Sequence, residues 1–195
     1  AARPWAVSAT LLYAFGSWSF SVSSQALYQH GPAQLCLILG LWGLLEEEPA
    51  PRHAALAGLG FASAFCCRPD SLFFLAAAGL FFLWRRPRRL AAFLSGAATP
   101  LFLLASYWYY YTGRIQPPDS SVQSSVMIAF QPEVLPGMLL SPTRGLLFFM
   151  PAAVFGLWGM WRRARENALP WALPLLLPLP ALLVFYSFYG NWTGG

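Results

Sequence analysis

Arg68-Pro69-Asp70 sets a guanidinium and a carboxylate two residues apart, between two apolar runs. A guanidinium offers parallel N–H groups that grip a carboxylate or a phosphate at two points. Charges in such apolar surroundings are costly unless they pair or serve a site. Two readings stay open: a self-neutralising turn, or an arginine facing the phosphate of a lipid. Asp70 is also a residue type that can cap the helix after it. A second polar stretch, from Ser23 to Gln29, His30 and Pro32, ends on a proline suited to the first turn of a helix. Gln29 and His30 then stand beside backbone N–H groups that favour anions, either as contacts to a phosphate or head group or as an ordinary polar turn. Ser141-Pro-Thr-Arg144-Gly145 opens another apolar run with a positive charge. There it opposes the helix dipole, and an anionic partner would resolve the conflict. At the end, Tyr189-Gly-Asn191-Trp192-Thr-Gly-Gly195 combines glycines, which let backbone approach closely, with an indole that can serve as a platform for a sugar face. The match of Asn191-Trp192-Thr193 to a glycosylation sequon is short and common and is set aside.

Other chemistries lack their signatures. The sequence holds no Walker loop, no Gly-x-Gly-x-x-Gly, no His-Glu-x-x-His and no Cys-x-x-Cys. Its two histidines, His30 and His53, fall on opposite sides of the topology below, which argues against a two-histidine metal site. Cys36, Cys66 and Cys67 lie in or at the end of apolar runs, without ligand spacing, and read as small apolar fillers.

These residues are embedded in an unusually apolar chain. Of 195 residues, 57% are hydrophobic and only 10% charged, against about 25% charged in a soluble domain. That balance implies lipid around the chain. The net charge of +5 does not imply nucleic acid, because the arginines sit in short loops and form no basic stripe. There is no lysine. Nine of the twelve basic residues fall in four clusters: Arg3; Arg52; Arg85, Arg86, Arg88 and Arg89; and Arg162, Arg163 and Arg165. Counting the apolar runs between them puts every cluster on one side, the cytoplasmic side by the positive-inside rule. Arg68, Arg114 and Arg144 are left toward the outer side, Arg114 as a solvated loop residue.

The expected fold is all-α, a polytopic transmembrane bundle of about seven apolar segments: 5–20, 32–45, 54–67, 71–84, 90–111, 145–161 and 168–189. A full span needs about 20 apolar residues, a length that only the fifth and seventh clearly reach. The third and fourth are short, separated by Arg68-Pro69-Asp70, and form either two spans or a hairpin reaching part way. In the third, Ala54, Gly58 and Ala62 recur every four residues and offer one face for close helix packing. Pro100 is expected to interrupt helix five, and Pro174, Pro178 and Pro180 helix seven. The outer loop 112–144 is long, and its second half, from Phe130 to Pro142, carries an apolar stripe suited to a short interfacial helix. The chain begins without an initiator Met and is expected to be a fragment of a longer polytopic protein.

Taken in order, Ala26-Leu-Tyr-Gln-His-Gly-Pro32, the Ala/Gly-rich helix leading into Arg68-Pro69, Ser141-Pro-Thr-Arg-Gly-Leu-Leu147 and the terminal Asn-Trp-Thr-Gly-Gly resemble motifs of bacterial GT-C membrane glycosyltransferases. The likeness is to the family-39 group, related to protein mannosyltransferases and lipid A aminoarabinose transferases, and it spans most of the chain. The resemblance implies transfer of a sugar from a polyprenyl-phosphate donor to an unknown acceptor at the outer face of the cytoplasmic membrane. It implies substrate contacts at Gln29, His30, Arg68, Asp70, Arg144, Asn191 and Trp192. The family's catalytic acid lies in an outer loop ahead of the matching segments, a loop this chain lacks, so no catalytic residue is named. A divalent metal stays open for the full-length protein. Two other classes are alternatives, a flippase for a lipid-linked glycan and a non-catalytic membrane scaffold. A flippase should show two related halves with interrupted helices and polar groups at mid-membrane, and neither is visible. A scaffold would not need a long ordered outer loop.

Overall fold

Prolines set where the helices begin and end. The residue before a proline is pushed out of the helical region toward extended backbone. In the computed structural model Arg68, before Pro69, has φ −144° and ψ 117°. Arg86, before Pro87, has φ −140° and ψ 53°. Met150, before Pro151, has φ −140° and ψ 65°. Each is a break between helices.

The structure describes residues 3–15, 29–45, 50–115, 130–142, 145–166 and 176–188. Among these, every regular element is helical. In chain order they are α1 (Arg3–Phe15), α2 (His30–Leu45), α3 (Pro51–Cys67), a 3-10 turn (Pro69–Ser71), α4 (Leu72–Arg85), α5 (Pro87–Thr112), α6 (Val134–Leu140), α7 (Leu146–Phe149), α8 (Ala152–Arg165) and α9 (Pro178–Tyr186). The all-α class is as expected. Of the described helices one, Pro87–Thr112, is long and apolar enough to cross a bilayer. It is mostly exposed: Phe102 and Leu103 are 71% and 63% exposed, and only Phe93 and Ala97 are buried.

Helix α3 is the centre of the packing, with α2 on one side and α5 on the other. Ala54, Gly58 and Ala62 do form a buried face there. A Cβ on Gly58 would strike the Phe93 carbonyl of α5, and one on Gly60 would strike the backbone of Gly40 in α2. Small side chains thus allow backbone-to-backbone contact on both flanks. Around this contact Leu44, Phe61, Phe81, Phe82 and Phe93 close a core, with Phe82 stacked on Phe93 at 4.9 Å between ring centres.

Two expectations change. Pro100 does not interrupt its helix: α5 runs continuously through it, although a proline removes one backbone donor. Pro178 and Pro180 do mark an interruption: Leu176 is helical, Leu177 is a turn, and the two prolines sit in the first turn of α9, where a missing N–H costs nothing. The sixth apolar segment is not one helix but two, α7 and α8, because Pro151 forces Met150 out of helical geometry. Pro174 lies outside the described residues.

Candidate functional site

The pre-proline break after α3 throws the Arg68 side chain clear of the helix end. Pro69–Ser71 then forms a single 3-10 turn, which brings Asp70 back beside Arg68. Arg68 Nε donates to Asp70 Oδ1 at 3.0 Å and Nη2 donates to Oδ2 at 2.5 Å, a two-point ion pair. The two side chains are 23% and 19% exposed, so the pair is largely shielded from water. Asp70 does not cap the next helix: α4 has no side-chain cap, and the carboxylate is turned to Arg68 and Tyr186.

Two distant elements complete the group. His30, the first residue of α2, contacts Arg68 Nη1 through Nδ1. An arginine can only donate, so this contact requires a neutral imidazole accepting at Nδ1 and carrying its proton on Nε2. Tyr186, the last residue of α9, donates its hydroxyl to Asp70 Oδ2 at 2.6 Å and accepts from Arg68 Nη2 at 3.3 Å. Helix α9 is held in place by Phe185 against Phe73 of α4, 5.6 Å between ring centres. The Gln131 N–H also donates to the Ser187 carbonyl at 2.9 Å. The segment leading into α6 therefore fixes the end of the helix that carries Tyr186.

The electrostatics follow from this geometry. Burial pushes the His30 imidazole pKa down, and the neighbouring Arg68 charge lowers it further against the opposing pull of Asp70. Burial alone would raise the Asp70 carboxyl. The hydrogen bonds from Arg68 and Tyr186 and the arginine's charge outweigh it, and the net direction is down. The hydrogen bond to Asp70 holds the Arg68 guanidinium above its ordinary value despite burial. The resting state is a neutral His30 beside a locked Arg68–Asp70 pair.

These side chains line a cavity of about 180 Å³, together with Gln34, Ser71, Phe74 and Leu182. That is room for several waters at about 30 Å³ each. Leu182 also lines a second, larger hollow of about 450 Å³, walled by Met138, Leu139, Leu146, Met150, Leu157 and Leu183 and reaching Tyr186. A small polar pocket and a larger apolar groove thus meet along one face of α9.

Of the residues singled out by sequence, the structure brings together His30, Arg68 and Asp70. Gln29 is in the exposed turn before α2 and does not line the pocket; its carbonyl accepts the Ala33 N–H at 3.1 Å. Arg144, Asn191 and Trp192 lie outside the described residues. Arg114 is exposed just past the end of α5. Sequence reasoning missed Tyr186, Gln34 and Ser71. Tyr186 lies 116 positions from Asp70, in an aromatic run where nothing local marks it. Gln34 is one helical turn after His30 and could have been found from that spacing. Among the described residues no three His, Cys, Asp or Glu side chains stand together as a metal site.

No family model, curated protein or solved structure matches the chain.

Proposed function

We propose that this chain is the membrane-embedded part of a glycosyltransferase that takes a sugar from a polyprenyl-phosphate donor at the outer membrane face. The bundle would lie in the cytoplasmic membrane as a polytopic domain, with the arginine-rich turns inside. The observation that carries this reading is that the pocket lined by His30, Arg68 and Asp70 shares Leu182 with the apolar groove, whose Tyr186 is hydrogen-bonded to Asp70. A ligand with an anionic head and a long hydrocarbon chain matches both surfaces at once. The exposed apolar face of α5 supports a lipid setting, since soluble monomers rarely expose large contiguous apolar patches.

Arg68 has an edge that Asp70 does not occupy and that such a head could take from His30. Its Nε and Nη2 face Asp70, while Nη1 lies toward His30. A phosphate oxygen replacing the imidazole at Nη1 would gain a charge-assisted hydrogen bond. In the proposed reaction an acceptor oxygen attacks the anomeric carbon, the bond from that carbon to the phosphate oxygen breaks, and the electron pair leaves on the lipid phosphate. Arg68 stabilises that charge as it develops. Asp70 is a poor base, being held by Arg68 and Tyr186 with its pKa lowered. The resemblance implies instead that a carboxylate of another outer loop takes the acceptor's proton.

The test is donor dependence. Membranes holding the full-length protein should transfer labelled sugar from a polyprenyl-phosphate sugar. They should transfer none from the same sugar phosphate without its prenyl chain. Equal transfer from a water-soluble donor would overturn the proposal.

A further inference from the structure

At the opposite end of α4 from Arg68 the chain carries Trp84 and then four arginines in five residues, Arg85, Arg86, Arg88 and Arg89. Two of these meet apolar surface directly. The Arg86 guanidinium lies over the Phe81 ring at 5.4 Å. Arg85 lines a hollow of about 410 Å³ between α4 and α9, walled by Phe73, Ala77, Leu80, Phe81, Trp84 and Ala181 among others. From Phe73 to Arg85 the groove follows α4 for about 18 Å at the helical rise. That is somewhat more than one leaflet's half of a hydrocarbon core about 30 Å thick. Among the described residues no carboxylate pairs with Arg85, Arg88 or Arg89; the ion pairs there are Arg68–Asp70 and Arg162–Glu166.

We propose that this groove binds one anionic glycerophospholipid of the inner leaflet, with an acyl chain along α4 and the phosphate on Arg85, Arg88 and Arg89. The site is distinct from the outer pocket and exists only if these helices stand in a bilayer, as proposed above. Charge selects the occupant. A zwitterionic lipid or a detergent tail would fill the groove equally well, but only a net negative head complements Arg85, Arg88 and Arg89, which meet no carboxylate among the described residues. Arginine suits this task because its planar fork grips phosphate while its stem covers apolar surface. Trp84, 73% exposed at the mouth, marks the depth at which the head group would sit.

The test uses the full-length protein in neutral detergent, titrated with phosphatidylglycerol or with phosphatidylcholine of identical chains, and bound lipid counted by native mass spectrometry. Wild type should retain one phosphatidylglycerol on the order of 100-fold more tightly than phosphatidylcholine, with the preference falling roughly fivefold for each arginine neutralised. Arg85→Gln/Arg88→Gln/Arg89→Gln should bind both lipids alike. Ala76→Phe, at an exposed position in the groove wall, should weaken phosphatidylglycerol with the arginines intact; Leu80→Trp serves if that variant does not fold. Glycerol 3-phosphate, a head without a chain, should not compete. Equal retention of both lipids by wild type, or full binding by the groove-filling variants, would overturn the site. A wild type that is monodisperse without any detergent would overturn the membrane reading and this site with it, whereas a detergent-requiring protein without lipid preference would overturn this site alone.

Discussion

At the scale of residues, the half-buried Arg68 and Asp70 form one network with His30 and Tyr186, and the network has a defined pH sense. Asp70 titrates below its ordinary value, so it contributes stability above the unfolded carboxyl pKa near 3.9 that is lost as pH falls through its folded value. His30 is also lowered. In the window below about 6.5 the unfolded chain binds a proton that the folded chain refuses, so stability again falls with acid. Both groups act in the same direction. Thermal unfolding in detergent should shift to lower temperature between pH 7 and pH 4, and His30→Gln should flatten the upper part of that slope. An unchanged slope would count against the neutral His30 contact. Tyr186→Phe should cost about 1 kcal/mol of stability for its lost hydrogen bonds, read as a lower unfolding midpoint. Tyr186 also shows the limit of sequence reading at this scale. The Arg68–Asp70 pair was legible because it is local, whereas a hydroxyl arriving from another helix leaves no spacing to read.

At the scale of elements, pre-proline residues and small residues decide most of what is seen. The packing face of α3 was legible because Ala54, Gly58 and Ala62 repeat at a helical period with nothing bulky between the contacting backbones. Gly58→Leu should therefore cost about 1–3 kcal/mol by overpacking. The same change at Gly156, where a Cβ meets nothing within 4 Å, should cost little. Equal loss at both positions, measured as denaturant midpoints in detergent, would contradict the α3–α5 contact. The prolines were only half legible. Their presence could be read, but the effect of each depends on position: Pro178 and Pro180 fall in a first turn, Pro151 at a break, and Pro100 inside a helix that tolerates it. Apolar content alone could not separate these cases.

At the scale of the whole molecule, the arginines divide the chain into two ends. The His30–Arg68–Asp70 pocket, with Tyr186 bonded to Asp70, stands at the helix ends remote from Arg52 at the start of α3 and from Arg85 and Arg89 at the α4–α5 turn. The proposed orientation would put this pocket outside and Arg52, Arg85 and Arg89 inside. A cysteine introduced at Ser121 should react with an impermeant thiol reagent from outside, and one at Asn167 should not; equal labelling would contradict the orientation. The functional claim depends on whether Arg68 serves a ligand or only its own turn, and one pair of variants separates these. Arg68→Ala alone strands the Asp70 carboxylate, at a cost of about 1–3 kcal/mol, and would lower activity on either account. Arg68→Ala/Asp70→Asn removes both charges and relieves that cost. The decisive measurement is sugar transfer from a polyprenyl-phosphate donor by the double variant in the full-length protein, with insertion and unfolding midpoint restored toward wild type. If Arg68 holds the lipid phosphate, transfer stays down by on the order of 100-fold or more. Recovery to near wild-type transfer would show that the arginine only neutralises its turn and would contradict the account.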